Sequence, residues 1–190
     1  MKYKTVATIV PLLALLSAAA AGADTPRKVN AGVLPYACTD QGARYLLAFD
    51  PALGRRAWAA FGGGPKGNET ADATARREFY EETNCSFNLK EIALVGPSVA
   101  HGFYAFVARV PYIDTTTIST PRQCQDVERS RWIWVEHKVL LSALDSPQPK
   151  PTVTAIGQGA TAYPLWSKSL RAMRQQLQDG LLSEQDPCLK

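Results

Sequence analysis

One stretch, residues 63–85 (GGPKGNETADATARREFYEETNC), limits what this chain can fold into more than any other. Three consecutive glycines, Gly62, Gly63 and Gly64, lead into it, and Glu69 follows six residues after Gly63. The residues beyond Glu69 predict a helix from about Ala71 to Thr83. Thr70 is a good N-cap, Asp72 suits the positive end of the helix dipole, and Asn84 tolerates the left-handed conformation that stops a helix. Ala71, Ala75 and Phe79 recur every four residues and form a narrow apolar stripe for packing. Glu78, Glu81 and Glu82 stand at i, i+3 and i+4, so their carboxylates gather on one surface. Like charges at that spacing repel by about 0.2–0.5 kcal/mol per pair on an exposed helix. Arg77 alone cannot neutralise these three together with Glu69. A hard divalent cation such as Mg2+ or Mn2+ can, particularly when a phosphate completes its shell.

An acidic cluster on a helix is most often a solvated face. The ordered combination of glycines, Glu69 and Arg77-Glu78-x-x-Glu81-Glu82 argues against that here. It resembles the Nudix box, with Gly63, Glu69, Arg77, Glu78, Phe79, Glu81 and Glu82 in register. Asn84 stands where that family has glycine and Cys85 where it has an aliphatic residue. Asparagine accepts the same backbone twist, and cysteine packs as a small apolar group. The resemblance implies an α/β/α sandwich with a mixed β-sheet and the box as loop-helix-loop.

The chain begins with Lys2 and Lys4, an apolar run from Val6 to Ala21, and Ala21-Gly22-Ala23. This is the pattern of a secretory signal peptide cleaved near Ala23, which predicts a periplasmic or secreted protein. Pro11 and the short apolar span argue against a permanent transmembrane helix, so no stable membrane anchor is expected. Loss of Lys2 and Lys4 with residues 1–23 leaves 19 basic and 17 acidic side chains, a net charge of +2. That balance calls for neither a nucleic-acid duplex nor an anionic membrane as partner. Residues 24–190 have the length of a single domain.

Export makes disulfides the expected use of Cys38, Cys85, Cys124 and Cys188. Four cysteines allow three pairings. Cys85 and Cys188 each follow a predicted helix and are the first choice, which leaves Cys38 with Cys124. No histidine partners a cysteine in the sequence, so a catalytic thiol is not expected.

Along the chain, strands are expected over 28–37, 44–49, 56–61, 87–95, 99–110 and 131–135, with short turns between the first three. Residues 111–128 and 145–164 read as loops, 138–144 as a short helix, and Trp166, Leu170, Met173 and Leu177 mark a last amphipathic helix.

The chemistry that the resemblance implies is hydrolysis of a phosphoanhydride in a small-molecule diphosphate. Glu78, Glu81 and Glu82 are the expected ligands of Mg2+ or Mn2+, which lowers the pKa of a bound water. Glu81, Glu82 and, from the loop before the aromatic strand, Glu128 are the candidate catalytic carboxylates, with Asp126 a weaker second from that loop. Arg77 and Glu69 are expected to orient the others, and Gly62, Gly63 and Gly64 to shape the loop beside the metal. Trp58 is a candidate base-stacking residue and Arg56, with Arg55, a candidate phosphate contact, although core packing for the tryptophan and solvation for the arginines are the commoner fates. His101 reads as structural and His137 as a surface residue. The expected function is a metal-dependent hydrolase acting on a nucleoside diphosphate linked to another group. The alternatives are a non-nucleotide diphosphate substrate, a silent diphosphate-binding module, and an exported interaction domain that accounts for the cysteines but not the glutamates.

Overall fold

A computed structural model describes residues 29–119, 124, 128–155 and 162–189. The segment read as a signal peptide lies outside these residues, as does Asp126. Strand β2 (Gly42–Asp50) shows how the sheet divides the molecule. Its side chains alternate faces with period two. Leu46 and Ala48 enter one apolar core, whereas Tyr45, Leu47 and Phe49 enter another on the opposite face.

Strand β1 (Asn30–Thr39) lies at the centre of the seven-stranded sheet. It pairs antiparallel with β2, antiparallel with the three-residue β4 (Phe61–Gly63), and parallel with β6 (Phe103–Arg109). Strands β3 (Ala57–Ala59) and β7 (Trp132–Glu136) flank β2, and β5 (Leu94–Ala100) closes the edge beside β6. The sheet is therefore mixed. Helix α1 (Ala71–Glu82) covers one face, burying Ala75 and Phe79 as the stripe predicts. Helices α3 (His137–Asp145) and α4 (Ser167–Gln178) cover the other, with Leu140, Leu170 and Met173 in its core. The expected α/β/α sandwich is the observed one. Among the described residues no helix is long and apolar enough to cross a membrane.

Several expectations are corrected. Residues 87–95 do not form one strand: a 3-10 turn occupies Leu89–Glu91, and β5 begins only at Leu94. That strand then continues through Gly96-Pro97, where the sequence suggested a break. A bulge between Val95 and Ser98 absorbs the proline without ending the ladder. The single strand expected over 99–110 is instead a hairpin. His101 and Gly102 both adopt positive φ (49° and 76°), the backbone a tight two-residue turn requires. The loop 111–128 contains a short helix α2 (Thr115–Ser119), and 145–164 contributes the small pair β8 (Thr152–Val153) and β9 (Tyr163–Pro164). His137 is buried, its ring nitrogens within hydrogen-bonding distance of the Tyr45 hydroxyl (3.3 Å) and the Glu184 carbonyl (3.0 Å).

The disulfides also differ from the first choice: Cys38 pairs with Cys188 and Cys85 with Cys124. The sheet explains why. Helix α1 ends on one face and α4 on the other, so the residues that follow them are kept apart. The C-terminal tail instead returns to the β1–β2 hairpin, where the Asp186 carboxylate accepts from the Ala43 N–H at 3.0 Å. Cys38–Cys188 spans 150 residues, and its removal is expected to cost about 2–4 kcal/mol. Guanidinium unfolding of a Cys38→Ser/Cys188→Ser protein against wild type checks this, and peptide mapping checks the pairing.

Candidate active site

Strand β4 and helix α1 place the site. Thr70 caps the helix, its hydroxyl accepting from the Ala73 N–H at 3.2 Å, and Asn84 ends it with φ of 54° as expected. Two of the three glycines belong to β4 rather than to a loop, which corrects the sequence reading. Their smallness has a specific use at Gly63, where a Cβ would lie 2.6 Å from a Glu78 carboxylate oxygen. A larger residue there would push the Glu78 carboxylate from its place on Arg77.

Arg77 organises the acids. Its Nε donates to both oxygens of Glu69 (2.9 and 3.1 Å). Its Nη1 donates to Glu78 (2.9 Å) and Glu81 (2.8 Å), and its Nη2 to Glu69 (3.0 Å) and to the Gly64 carbonyl (2.7 Å). The planar guanidinium therefore ties the helix to the end of the glycine segment, geometry that a lysine could not reproduce. These hydrogen bonds from Arg77 pull the Glu69 carboxyl down to about 2. A depressed carboxyl favours the fold above its unfolded value near 4.5, and that contribution is lost as pH falls toward 2. Acid unfolding of a Glu69→Gln protein is accordingly expected to lose part of the wild-type pH dependence in that window.

Glu82 is placed differently. It is buried, one oxygen accepting from the Gly62 N–H at 2.9 Å and the other paired with Arg129 Nη2 at 2.5 Å. Arg129 is itself buried, and its second amino group pairs with Asp50 at 2.7 Å. Asp50 in turn meets Arg55 at 2.7 Å. Burial pushes the Glu82 carboxyl up to about 7, against the opposing pull of Arg129 and the Gly62 N–H. Burial also raises Glu78, to which the negative charges of Glu81 and Glu128 add. Glu128 is exposed, and its negative charge is among those that raise Glu78.

The acids fit a divalent cation in part. Oxygens of Glu78 and Glu81 converge on a single cationic nitrogen of Arg77, within 2.9 Å of each, which gathers two hard oxygen donors about one point. Glu81 also meets Lys66 at 2.9 Å. Both oxygens of Glu82 are already engaged, and among the described residues no group of three or more candidate ligands is gathered. Hard oxygen donors of this kind suit Mg2+ or Mn2+.

The weaker candidates separate clearly. Trp58 is buried in a tilted and edge-on cluster with Phe49 and Tyr163, which is packing. Arg56 is exposed with φ of 36°. Arg55 and His101, by contrast, line a cleft of about 300 Å3 that opens along Gly62, Gly63 and Gly64. Sequence reasoning missed Asp50 and Arg129. The one available signal was the position of Arg129 beside Glu128, in the loop before the aromatic strand.

An α/β/α sandwich with a glycine strand feeding an arginine-centred acidic helix defines the Nudix class of fold. The family model for the NUDIX domain matches residues 26–155, and the chain belongs to that family. Solved structures similar to it include a MutT/nudix family protein from Enterococcus faecalis (14% identity, 85% of this chain and 65% of that one, TM-score 0.49). The Nudix hydrolase RenU from M. smegmatis (14%, 82% and 89%, TM-score 0.48) is another. A third is the NUDIX domain of Shewanella oneidensis NrtR, complexed with ADP ribose (18%, 80% and 86%, TM-score 0.48). No curated protein matches the chain.

Proposed function

We propose that this protein is an exported, divalent-metal-dependent hydrolase of a phosphoanhydride in a nucleoside diphosphate linked to another group. Residues 1–23 act in this reading as a cleaved signal peptide, and residues 24–190 as one Nudix domain. The observation that carries it is the convergence of Glu78 and Glu81 on one cation beside the glycine strand. A bound Mg2+ or Mn2+ would screen the diphosphate charge and make water a better nucleophile. Glu78 and Glu81 would hold it in exchange for their bonds to Arg77, whose bonds to Glu69 would remain. Glu82 fixes the Gly62 backbone from beneath and stands as the third carboxylate of the site. Glu128, exposed and within electrostatic reach of Glu78, takes the proton from the attacking water.

A second reading is a silent diphosphate-binding module, which the engagement of both Glu82 oxygens favours. One experiment separates the two. The mature, oxidised protein is incubated with nucleoside diphosphate derivatives and with non-nucleotide diphosphates, with and without Mg2+ or Mn2+, and products are resolved by chromatography. Metal-dependent cleavage establishes the hydrolase. Binding without cleavage establishes the module. Neither, with no metal bound, overturns both.

A further inference from the structure

The cleft beside the glycine strand has a composition that the acidic helix does not explain. Its walls come from β1, β4, the β5–β6 turn and the first turns of α4. The floor is apolar, with Phe61, Phe103 and Met173 among its residues. The ionic side chains that line it are all of one sign: Arg55, Lys168 and Arg171, with no aspartate or glutamate. His101 adds its ring at the turn.

These cations are poorly satisfied within the protein. Lys168 Nζ lies 5.6 Å from the centre of the Trp166 ring, and Arg55 Cζ lies 5.2 Å from the same ring. Of the three, only Arg55 has a carboxylate partner among the described residues, Asp50. Lys168 and Arg171 stand three residues apart, so they share a face of α4 and are both exposed. Helix α4 adds to the field. Trp166 at its N-cap gives no side-chain cap, and no acid stands in the first turn. The first intrahelical bond runs from the Leu170 N–H to the Trp166 carbonyl, so the N–H groups of Ser167, Lys168 and Ser169 precede it. Such an end attracts anions, phosphate above all. A cleft lined by one sign of charge over an apolar floor focuses that attraction.

Gly63 is the wall common to both regions. The Glu78 carboxylate packs against it, and it also lines the cationic cleft. A ligand crossing this strand meets a region that calls for a metal and then one that calls for an anion. We propose that the cleft seats a second phosphate, a monoester remote from the diphosphate, and that the substrate class is a diphosphate whose departing half carries such a group. The inference rests on the hydrolase reading for the position of the diphosphate, but not for the existence of the phosphate seat. The volume of about 300 Å3 admits a nucleoside-sized group between the two anions.

Matched ligands that differ by one phosphate monoester test this: coenzyme A with dephospho-coenzyme A, and NADP+ with NAD+. Each is titrated into the mature, oxidised protein in EDTA by calorimetry, so that no turnover intervenes. The phosphorylated member of each pair is expected to bind about tenfold more tightly. The difference is expected to collapse in Lys168→Gln/Arg171→Gln and to persist in Arg109→Gln, a change at an exposed arginine outside the cleft. Equal affinity within both pairs, no binding by any member, or a difference that survives the double substitution would overturn the phosphate seat. Melting temperatures of the variants are recorded beside the titrations, and a Lys168→Gln single variant that keeps wild-type stability decides the matter if the double variant unfolds. A parallel assay with Mg2+ reads cleavage. Preference without cleavage leaves the seat and removes the hydrolase, whereas cleavage without preference does the reverse.

Discussion

Replacing Arg129 with methionine is expected to cost about 3–5 kcal/mol of folding stability at pH 8, the usual consequence of stranding one member of a buried ion pair. The two carboxylates it serves are not equally exposed to the loss. Asp50 keeps Arg55 and the Ala52 N–H, at 2.7 and 3.0 Å. Among the described residues Glu82 keeps only the Gly62 N–H, in a position almost closed to solvent. Most of the cost therefore falls on Glu82, and its pH dependence has a fixed sign. The Glu82 carboxyl already stands raised to about 7 by burial, so the folded protein binds its proton more tightly than the unfolded chain does. Stability associated with that proton is present below about 4.5 and is lost as pH rises through 7. Removing Arg129 raises the carboxyl further, and the deficit should be small at pH 5 and large at pH 8. In the Arg129→Met background, Glu82→Gln should recover much of the pH 8 deficit, because the stranded charge is gone. Denaturant unfolding with both disulfides intact measures all four proteins of the cycle. A deficit under about 1 kcal/mol at pH 8, or one that does not change with pH, would show that Glu82 is not held by this pair.

The Asp50–Arg129–Glu82 chain also shows where sequence reading stops. Alternation in β2 and the four-residue stripe in α1 are local patterns, each set by one element's own period. They are legible because a side chain's face follows from its position in the element. Asn84 was legible for the same reason, since its backbone requirement depends on its neighbours alone. The partnership of Arg129 with Asp50 joins residues far apart in the chain, and nothing near either one encodes the other. The disulfides failed in the same manner. Helix ends suggested Cys85 with Cys188, but the two helices lie on opposite faces of the sheet. Only the return of Asp186 to the Ala43 N–H reveals that Cys188 arrives beside Cys38. The β5–β6 turn is an intermediate case. Gly102 after His101 was a local signal for a hairpin, masked by the apolar run on either side. Within the site, the carboxylate order along α1 was read directly, yet the division of labour among the carboxylates was not. Helical spacing puts Glu78, Glu81 and Glu82 on one surface, and only packing distinguishes a buried Glu82 from a half-buried Glu78 and Glu81.

That division makes Glu81→Gln the sharpest test of the proposed chemistry. Among the described residues the Glu81 side chain meets the half-buried Arg77 at 2.8 Å and the exposed Lys66 at 2.9 Å, and Arg77 keeps Glu69, Glu78 and the Gly64 carbonyl without it. Glutamine keeps its size and can still accept from either cation. The change also removes repulsion with Glu78, three residues earlier on the same face. Folding stability should therefore stay within about 0.5 kcal/mol of wild type. Turnover should not be spared. If Glu78 and Glu81 together hold the cation, loss of one charged oxygen donor weakens metal binding and is expected to lower metal-dependent cleavage roughly 100-fold. Saturating metal should restore part of that loss if affinity is the cause, so activity is followed against Mg2+ concentration in both proteins. The melting temperature supplies a second readout: wild type should rise on addition of Mn2+ and Glu81→Gln should rise less, because only a ligand bound to the folded state raises it. The contrast with Arg129→Met is what gives the pair of substitutions its force. One strikes the buried support of the site and shows in stability; the other strikes the surface that meets the metal and leaves stability alone. A Glu81→Gln protein that cleaves as fast as wild type, with an unchanged response to Mn2+, would move the cation away from Glu81 and leave its convergence with Glu78 on Arg77 a purely structural clamp.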